Sequence, residues 1–219
     1  MEFGLKGRHV AILAADGVDE AQLHAPRKAL TDAGVLADVV AARSGKVSAS
    51  GGAEIAVDRT FEVCHAADYD ALVIPGGADG AEALRAEQRA IQFVREFMAA
   101  DKPVAAIGEG VSLLAAADAV AGRTIAATPE LADAVRSGGG AIVDRSVNVD
   151  EKLLTARGAG DIGELSTAML REFANRVDEA RIDQLSEQSF PASDPPPGPV
   201  AVGGEGASKG LHVDPRRSE

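Results

Sequence analysis

Residues 104–117, VAAIGEGVSLLAAA, run apolar up to a Gly-Glu-Gly corner and then resume with helical spacing. A strand that turns directly into a helix leaves backbone amides free at the turn, where the helix start favours an anion or a developing negative charge. The corner carries one ionisable side chain, Glu109, and no thiol, hydroxyl or imidazole. A carboxylate there can take and return a proton. Two further loops, DGVDE at 16–20 and PGGADG at 75–80, each follow an apolar run and bring Asp19, Glu20, Gly76 and Gly77 into consideration.

In open α/β sheets ligands bind outside the carboxyl ends of the strands, so these three loops are where chemistry would sit. If Asp19 and Glu109 meet, their repulsion raises one pKa and makes them an acid–base couple, or lets them hold a hard cation with water. Asp19 also reads as a solvated carboxylate at a helix start, favoured by the helix dipole, and both readings stay open. Gly76, Gly77 and Gly110 offer amides to an oxyanion, and Gly108 suits a strained corner because glycine tolerates positive φ. Glu20 and His24 fall on the pocket rim in this reading. PGG could bind phosphate, yet neither a dinucleotide fingerprint nor a lysine-bearing phosphate loop accompanies it, and a glycine pair is usually only a turn.

Cys64, ahead of a core strand, reads as a small buried hydrophobe. His65 beside it, His9 at the first strand and His212 near the end of the sequence show no metal-ligand spacing, so no metal and no cofactor are expected.

The elements that must hold these loops alternate. RHVAILAADG is a strand, and DEAQLHAPRKALTDAG a helix with Leu23, Ala29 and Leu30 inward and Gly34 as its stop. Pro26 should kink that helix or mark its true first turn. VLADVVAARS is the second strand, KVSASGGAEIAVDRTF a hairpin around Gly51-Gly52, and YDALVIPGG a strand. ALRAEQRAIQFVREFMAADK reads as one amphipathic helix with Ile91, Val94, Phe97 and Met98 inward, and KPVAAI as another buried strand. The helix GVSLLAAADA, the segment RTIAAT, the helix PELADAVRSGG and the short segments AIVD, VNVD and LLTAR follow, before ELSTAMLREFANRVDEARIDQL closes as a long amphipathic helix. This order predicts an α/β fold with a mostly parallel, doubly wound sheet built from right-handed crossovers. One domain is expected over 1–188. Residues 189–219 are rich in Pro, Gly and Ser, bury too little apolar area to offset ordering entropy, and read as a disordered tail.

Taken in order, ADGVDEAQL, YDALVIPGG, KPVAAIGEG and VNVDEKLLTARGAGDI resemble the ThiJ/PfpI superfamily, the DJ-one-like proteins that include intracellular peptidases, deglycases, glyoxalases and stress chaperones. The match covers residues 7 to 175. It implies a flavodoxin-like three-layer sandwich, class I glutamine amidotransferase-like, and a homodimer. It places Gly108 where the family typically has its elbow cysteine, Glu109 where peptidase-like members carry histidine, and Asp19 at the elbow-facing acid. RKALTDAGVLADVVAARSGKVSA and KPVAAIGEGV are also similar to the C-terminal domain of large-subunit catalases, which lacks the nucleophile and serves stability or chaperone-like roles. The resemblance therefore implies a non-catalytic stress-protection, chaperone-like or stabilising module. The alternatives are a cysteine-independent hydrolase, deglycase or glyoxalase using Glu109 and Asp19, and a small-molecule or metal-binding sensor built on the same pocket, its ligand unknown.

A formal charge of −12 opposes binding to phosphate backbones and anionic lipid, and 3% aromatic residues offer few surfaces for stacking bases. No run approaches the roughly 18 apolar residues of a membrane span, and the first residues lack a secretory pattern. A single cysteine forbids an internal disulfide and fits a reducing compartment. A cytoplasmic protein with neither nucleic acid nor membrane as partner is expected. The loss of apolar periodicity after residue 189 carries a test: thermal melts of the full chain and of a chain lacking residues 190–219 should nearly coincide, and a large drop on truncation would show that the tail packs on the domain.

Overall fold

The computed structural model describes residues 5–174. The tail expected over 189–219 and the far end of the last helix lie outside the described residues. In chain order the elements are β1 (His9–Leu13), α1 (Glu20–Asp32), β2 (Leu36–Ala41), β3 (Gly45–Ser48), β4 (Glu54–Val57), β5 (Arg59–Thr60), β6 (Ala71–Ile74), α2 (Ala78–Ala86), α3 (Gln88–Ala99) and β7 (Val104–Ile107). They continue with α4 (Val111–Ala116), β8 (Thr124–Ile125), α5 (Ala132–Ser137), β9 (Ala141–Ile142), β10 (Val147–Asp150) and β11 (Leu153–Ala156), and α6 spans 162–174.

Seven strands form the central sheet in the order β10-β11-β7-β6-β1-β2-β5. Every pair in it is parallel except β10 with β11. Alternate residues of its middle strands enter two cores, as the twofold alternation of strand side chains requires. Ala11, Leu13, Leu72, Ile74, Val104 and Ala106 join the residues of α2, α3, α4 and α5 on one face. Val10, Ile12, Val73, Ala105 and Ile107 join Leu23 and Leu30 of α1, the β3–β4 hairpin, and Leu165 and Met169 of α6 on the other. This is the three-layer sandwich with a mostly parallel sheet. Strands covered on both faces are the physical reason the sequence shows continuous apolar runs where these elements lie.

Two local expectations need correction. α1 passes through Pro26 and does not begin there, because Asp19 caps it about two turns earlier; the buried proline only deprives Gln22 of one helical donor. Gly34, at φ 82, follows the end of α1 as expected. The segment read as one helix from 83 to 102 is two, since Glu87 is extended (φ −91, ψ 106) and its carboxylate accepts from Arg89 N. That break resets the phase of the inward stripe. Ala90, Phe93, Val94 and Phe97 are buried, while Ile91 and Met98 only border the core.

Phe97 is fully buried, its ring centroid 5.3 Å from that of Phe93. Phe97→Ala should therefore cost about 3–5 kcal/mol of unfolding free energy, read from a denaturant titration.

Candidate functional site

The carboxyl ends of β1, β6 and β7 bring three loops together. Asp19 N donates to Gly76 O at 2.9 Å, tying the first loop to the second. Gly77, at φ 106, passes so near the first loop that a Cβ on it would stand 2.4 Å from Gly17 O and 2.5 Å from Asp19 N, so no side chain fits. β7 ends at Ile107, a single 3-10 turn spans Gly108–Gly110, and α4 starts at Val111. Gly108 takes φ 51, the left-handed corner that glycine adopts at little cost. Gly110 rests against the end of β6, where a Cβ would lie 2.5 Å from Ile74 O.

Two side chains converge over the second loop. Gly76 N donates to Gln22 Oε1 at 2.9 Å, and Gly77 N to Glu109 Oε2 at 3.0 Å. A Cβ on Gly76 would stand 2.5 Å from the first of these oxygens and 2.6 Å from the second. The amides that could serve an incoming oxyanion thus already hold two oxygens of the protein. Glu109 is half-buried, carries the one ionisable side chain on the elbow, and keeps a second carboxylate oxygen beyond the bond to Gly77. The arrangement can exchange a proton with a ligand; it offers no nucleophilic atom at Gly108.

The remaining candidates take different places. Asp19 is the N-cap of α1, its Oδ1 accepting from Gln22 N at 2.9 Å. No hydrogen bond joins it to Glu109 among the described residues. The α1 side chain that faces the elbow is Gln22, whose Oε1 and Nε2 lie 3.3 and 3.5 Å from where a side chain at position 108 would begin. An amide cannot ionise, so α1 presents the elbow with a hydrogen-bonding group and no acid. Glu20 and His24 sit two residues to either side of Gln22, on the exposed face of the helix, and Glu20 Oε2 points toward Gly51 of the hairpin.

The sequence held a signal for this. Asp19-x-x-Gln22 is the spacing of a capping box, which assigns Asp19 to the helix start. Gln22 also shares the inward i, i+4, i+8 line with Pro26 and Leu30, where a polar side chain must be aimed at a buried partner.

Cys64 follows β5, the strand at one lateral edge of the sheet. It is buried next to Tyr69, ahead of β6, and burial pushes its thiol up from the ordinary value, against a smaller opposing hydrogen bond with Tyr69. Tyr69 Oη in turn donates to Asp38 Oδ2 at 3.2 Å, the oxygen that His9 Nε2 approaches at 2.9 Å. A protonated, buried thiol is inert as a nucleophile. Among the described residues no three His, Cys, Asp or Glu side chains are grouped to hold a metal ion, and no helix is long and apolar enough to cross a membrane.

A family model described as the DJ-1/PfpI family matches residues 8–172. General stress protein 18 of Bacillus subtilis is 33% identical over 159 residues, which cover 71% of this chain and 92% of that protein. Protein/nucleic acid deglycase 2 of Escherichia coli is 29% identical over 167 residues, covering 75% of this chain and 96% of that one. Among solved structures, a two-domain protein of Anabaena variabilis with DJ-1/ThiJ/PfpI-like and ferritin-like domains superposes with a TM-score of 0.72 at 29% identity. That superposition takes in 74% of this chain and 47% of the two-domain chain, so this chain spans about half of that protein's length.

The crowding at Gly76 carries a test. A methyl group there must displace Gln22 or Glu109, or push against Ile107 O at 2.8 Å. Gly76→Ala should lower stability by about 1–3 kcal/mol, read by denaturant titration, and speed hydrogen exchange at the amide of Gly77. A melt and exchange pattern like the wild type would show that the contacts are loose.

Proposed function

The chain belongs to the DJ-1/PfpI family, and from that membership we propose that it is a stress-protection protein of the deglycase class that works without a thiol, with Glu109 as its acid–base group. The observation that carries this is the Glu109 carboxylate held on the Gly77 amide beside Gly108, an ionisable group at the corner itself. The names of the two relatives, a general stress protein and a protein/nucleic acid deglycase, support it over the non-catalytic module expected from the sequence. Asp19 leaves the proposed acid–base pair because it is committed to capping α1. Gln22 takes its place at the elbow as a hydrogen-bonding group.

Detaching a carbonyl compound from an amine at the hemiaminal stage needs no nucleophile. Glu109 accepts the hydroxyl proton of the adduct, the C–O bond becomes a carbonyl, the C–N bond breaks, and the nitrogen leaves with the proton that Glu109 returns. Free amine and free carbonyl compound are the products, and the carboxylate ends as it began. Gln22 Nε2, beside the corner, supplies a donor for the oxygen that gains carbonyl character.

A second reading is favoured by a specific observation: Gln22 and Glu109 already satisfy the Gly76 and Gly77 amides, as expected of a stabilising module that turns nothing over.

Release of amine from a methylglyoxal–amino acid hemiaminal, followed by NMR, separates the two. On the deglycase reading the wild type outpaces buffer, Cys64→Ala stays within a few-fold of it, and Glu109→Gln loses about 10²-fold or more. A wild-type rate equal to buffer would establish the stabilising module instead. Loss of turnover in a folded Cys64→Ala protein would overturn the thiol-free mechanism.

A further inference from the structure

Beyond Gly108 the same edge of the sheet carries a second recess, about 340 Å³, where β8, β9 and β11 end beside α5. Ile142 and Val143 contribute to an apolar floor, and Arg136 from α5 and Arg157 from the end of β11 stand in its walls together with Asp144. β11 pairs in parallel with β7, Ala156 opposite Ile107, so Arg157 leaves its strand at the level where Gly108 leaves the next one. Its carbonyl oxygen is 3.6 Å from where a side chain at 108 would begin. The backbone of Arg157 therefore borders the elbow, and the residue also lines the recess.

Both guanidinium groups have partners that a ligand can replace. Arg157 Nη1 lies 3.2 Å from Asp144 Oδ1, and the Asp144 side chain is 99% exposed. Arg136 Nη1 lies 3.6 Å from Asp133 Oδ1, whose side chain is 100% exposed. Ion pairs this open to water are screened and weak. An arginine fork matches a carboxylate with two parallel hydrogen bonds, and an apolar floor below it suits a short carbon body. Of the charged groups, the lining itself carries the two arginines and Asp144, with Asp133 just outside it.

We propose that this recess is a binding site for a small organic carboxylate, a 2-oxo acid, held by Arg157 and Arg136. The inference deepens the deglycase reading and rests on it for the substrate: the adduct presented to Glu109 is the hemiaminal of an amine with a 2-oxo acid, its carboxylate anchored in the recess. The proton path is unchanged, and the products are the amine and the 2-oxo acid.

The test uses the full chain and separates binding from turnover. Pyruvate, its neutral amide and inorganic phosphate are titrated by ¹H–¹⁵N NMR. Pyruvate should saturate, with shifts centred on residues 127–144 and 157, while the amide binds at least about tenfold more weakly. Arg157→Gln and Arg136→Gln should each weaken pyruvate by about tenfold, and Asp144→Asn should tighten it by removing the competing carboxylate. Equal binding of the amide, shifts elsewhere on the protein, or an unchanged affinity in the double arginine variant would overturn the site. Phosphate binding as tightly as pyruvate would overturn its assignment to carboxylates.

In the turnover arm, amine adducts of glyoxylate and of methylglyoxal are compared. The inference expects the double arginine variant to lose the first and keep the second. Turnover of both adducts that ignores the arginines would overturn the inference and leave the deglycase reading standing. Arginine-dependent pyruvate binding with neither adduct turned over would support the site and remove the deglycase reading.

Discussion

Everything at the carboxyl edge depends on the backbone-to-backbone approach of the first two loops. Gly77 runs so close to Gly17 and Asp19 that a methyl group cannot be placed between them, and the bond from Asp19 N to Gly76 O fixes their separation. With that distance set, the amides of Gly76 and Gly77 face Gln22 and Glu109 with no freedom to turn elsewhere. A buried amide must find an acceptor, and here two different elements, α1 and the elbow, each provide one. The loops, the helix and the elbow thus hold one another, and loosening one would expose an unsatisfied donor in the others.

That mutual satisfaction bears directly on chemistry. Glu109 Oε2 is a carboxyl oxygen already seated on a backbone amide, in the kind of position an oxyanion site reserves for charge that develops during reaction. A ligand that placed its own oxygen on Gly77 N would have to displace the carboxylate. A proton-transfer role avoids that competition, because it leaves Oε2 where it is and uses the other carboxylate oxygen. The geometry therefore favours acid–base work at Glu109 over oxyanion stabilisation by Gly77.

The alternation of strands and helices was legible from apolar runs and their stops, because strands buried on both faces and helices buried on one leave distinct periodicities. The β3–β4 hairpin was legible from the alternation of small or apolar with polar residues around Gly51-Gly52. The break at Glu87 was not: neither glycine nor proline marks it, and an amphipathic stripe continues on paper through a residue whose extended backbone resets the phase. At the site, the three loops could be named because glycine and acidic residues cluster after strands. Which α1 side chain turns toward the elbow could not be settled by acidity alone, since the choice lies between capping a helix and facing a pocket. Asp19 does the first and Gln22 the second, one helical turn apart.

The position of the lone thiol completes the picture. Cys64 follows β5 and is buried beside Tyr69, which reaches Asp38 on β2, whereas the elbow ends β7, and β6, β1 and β2 lie between those two strands in the sheet. A thiol pushed up by burial and an elbow without a side chain at Gly108 leave the sulfur route without either of its requirements, an ionised nucleophile or access to the crevice. What the crevice retains is a carboxylate and a side-chain amide, with Arg157 at the end of the next strand and Arg136 on α5, both in weak surface pairs. Carboxylates exchange protons and arginines pair with anions. They suit a substrate that arrives already activated, as a hemiaminal is, and needs only to be oriented and deprotonated to fall apart.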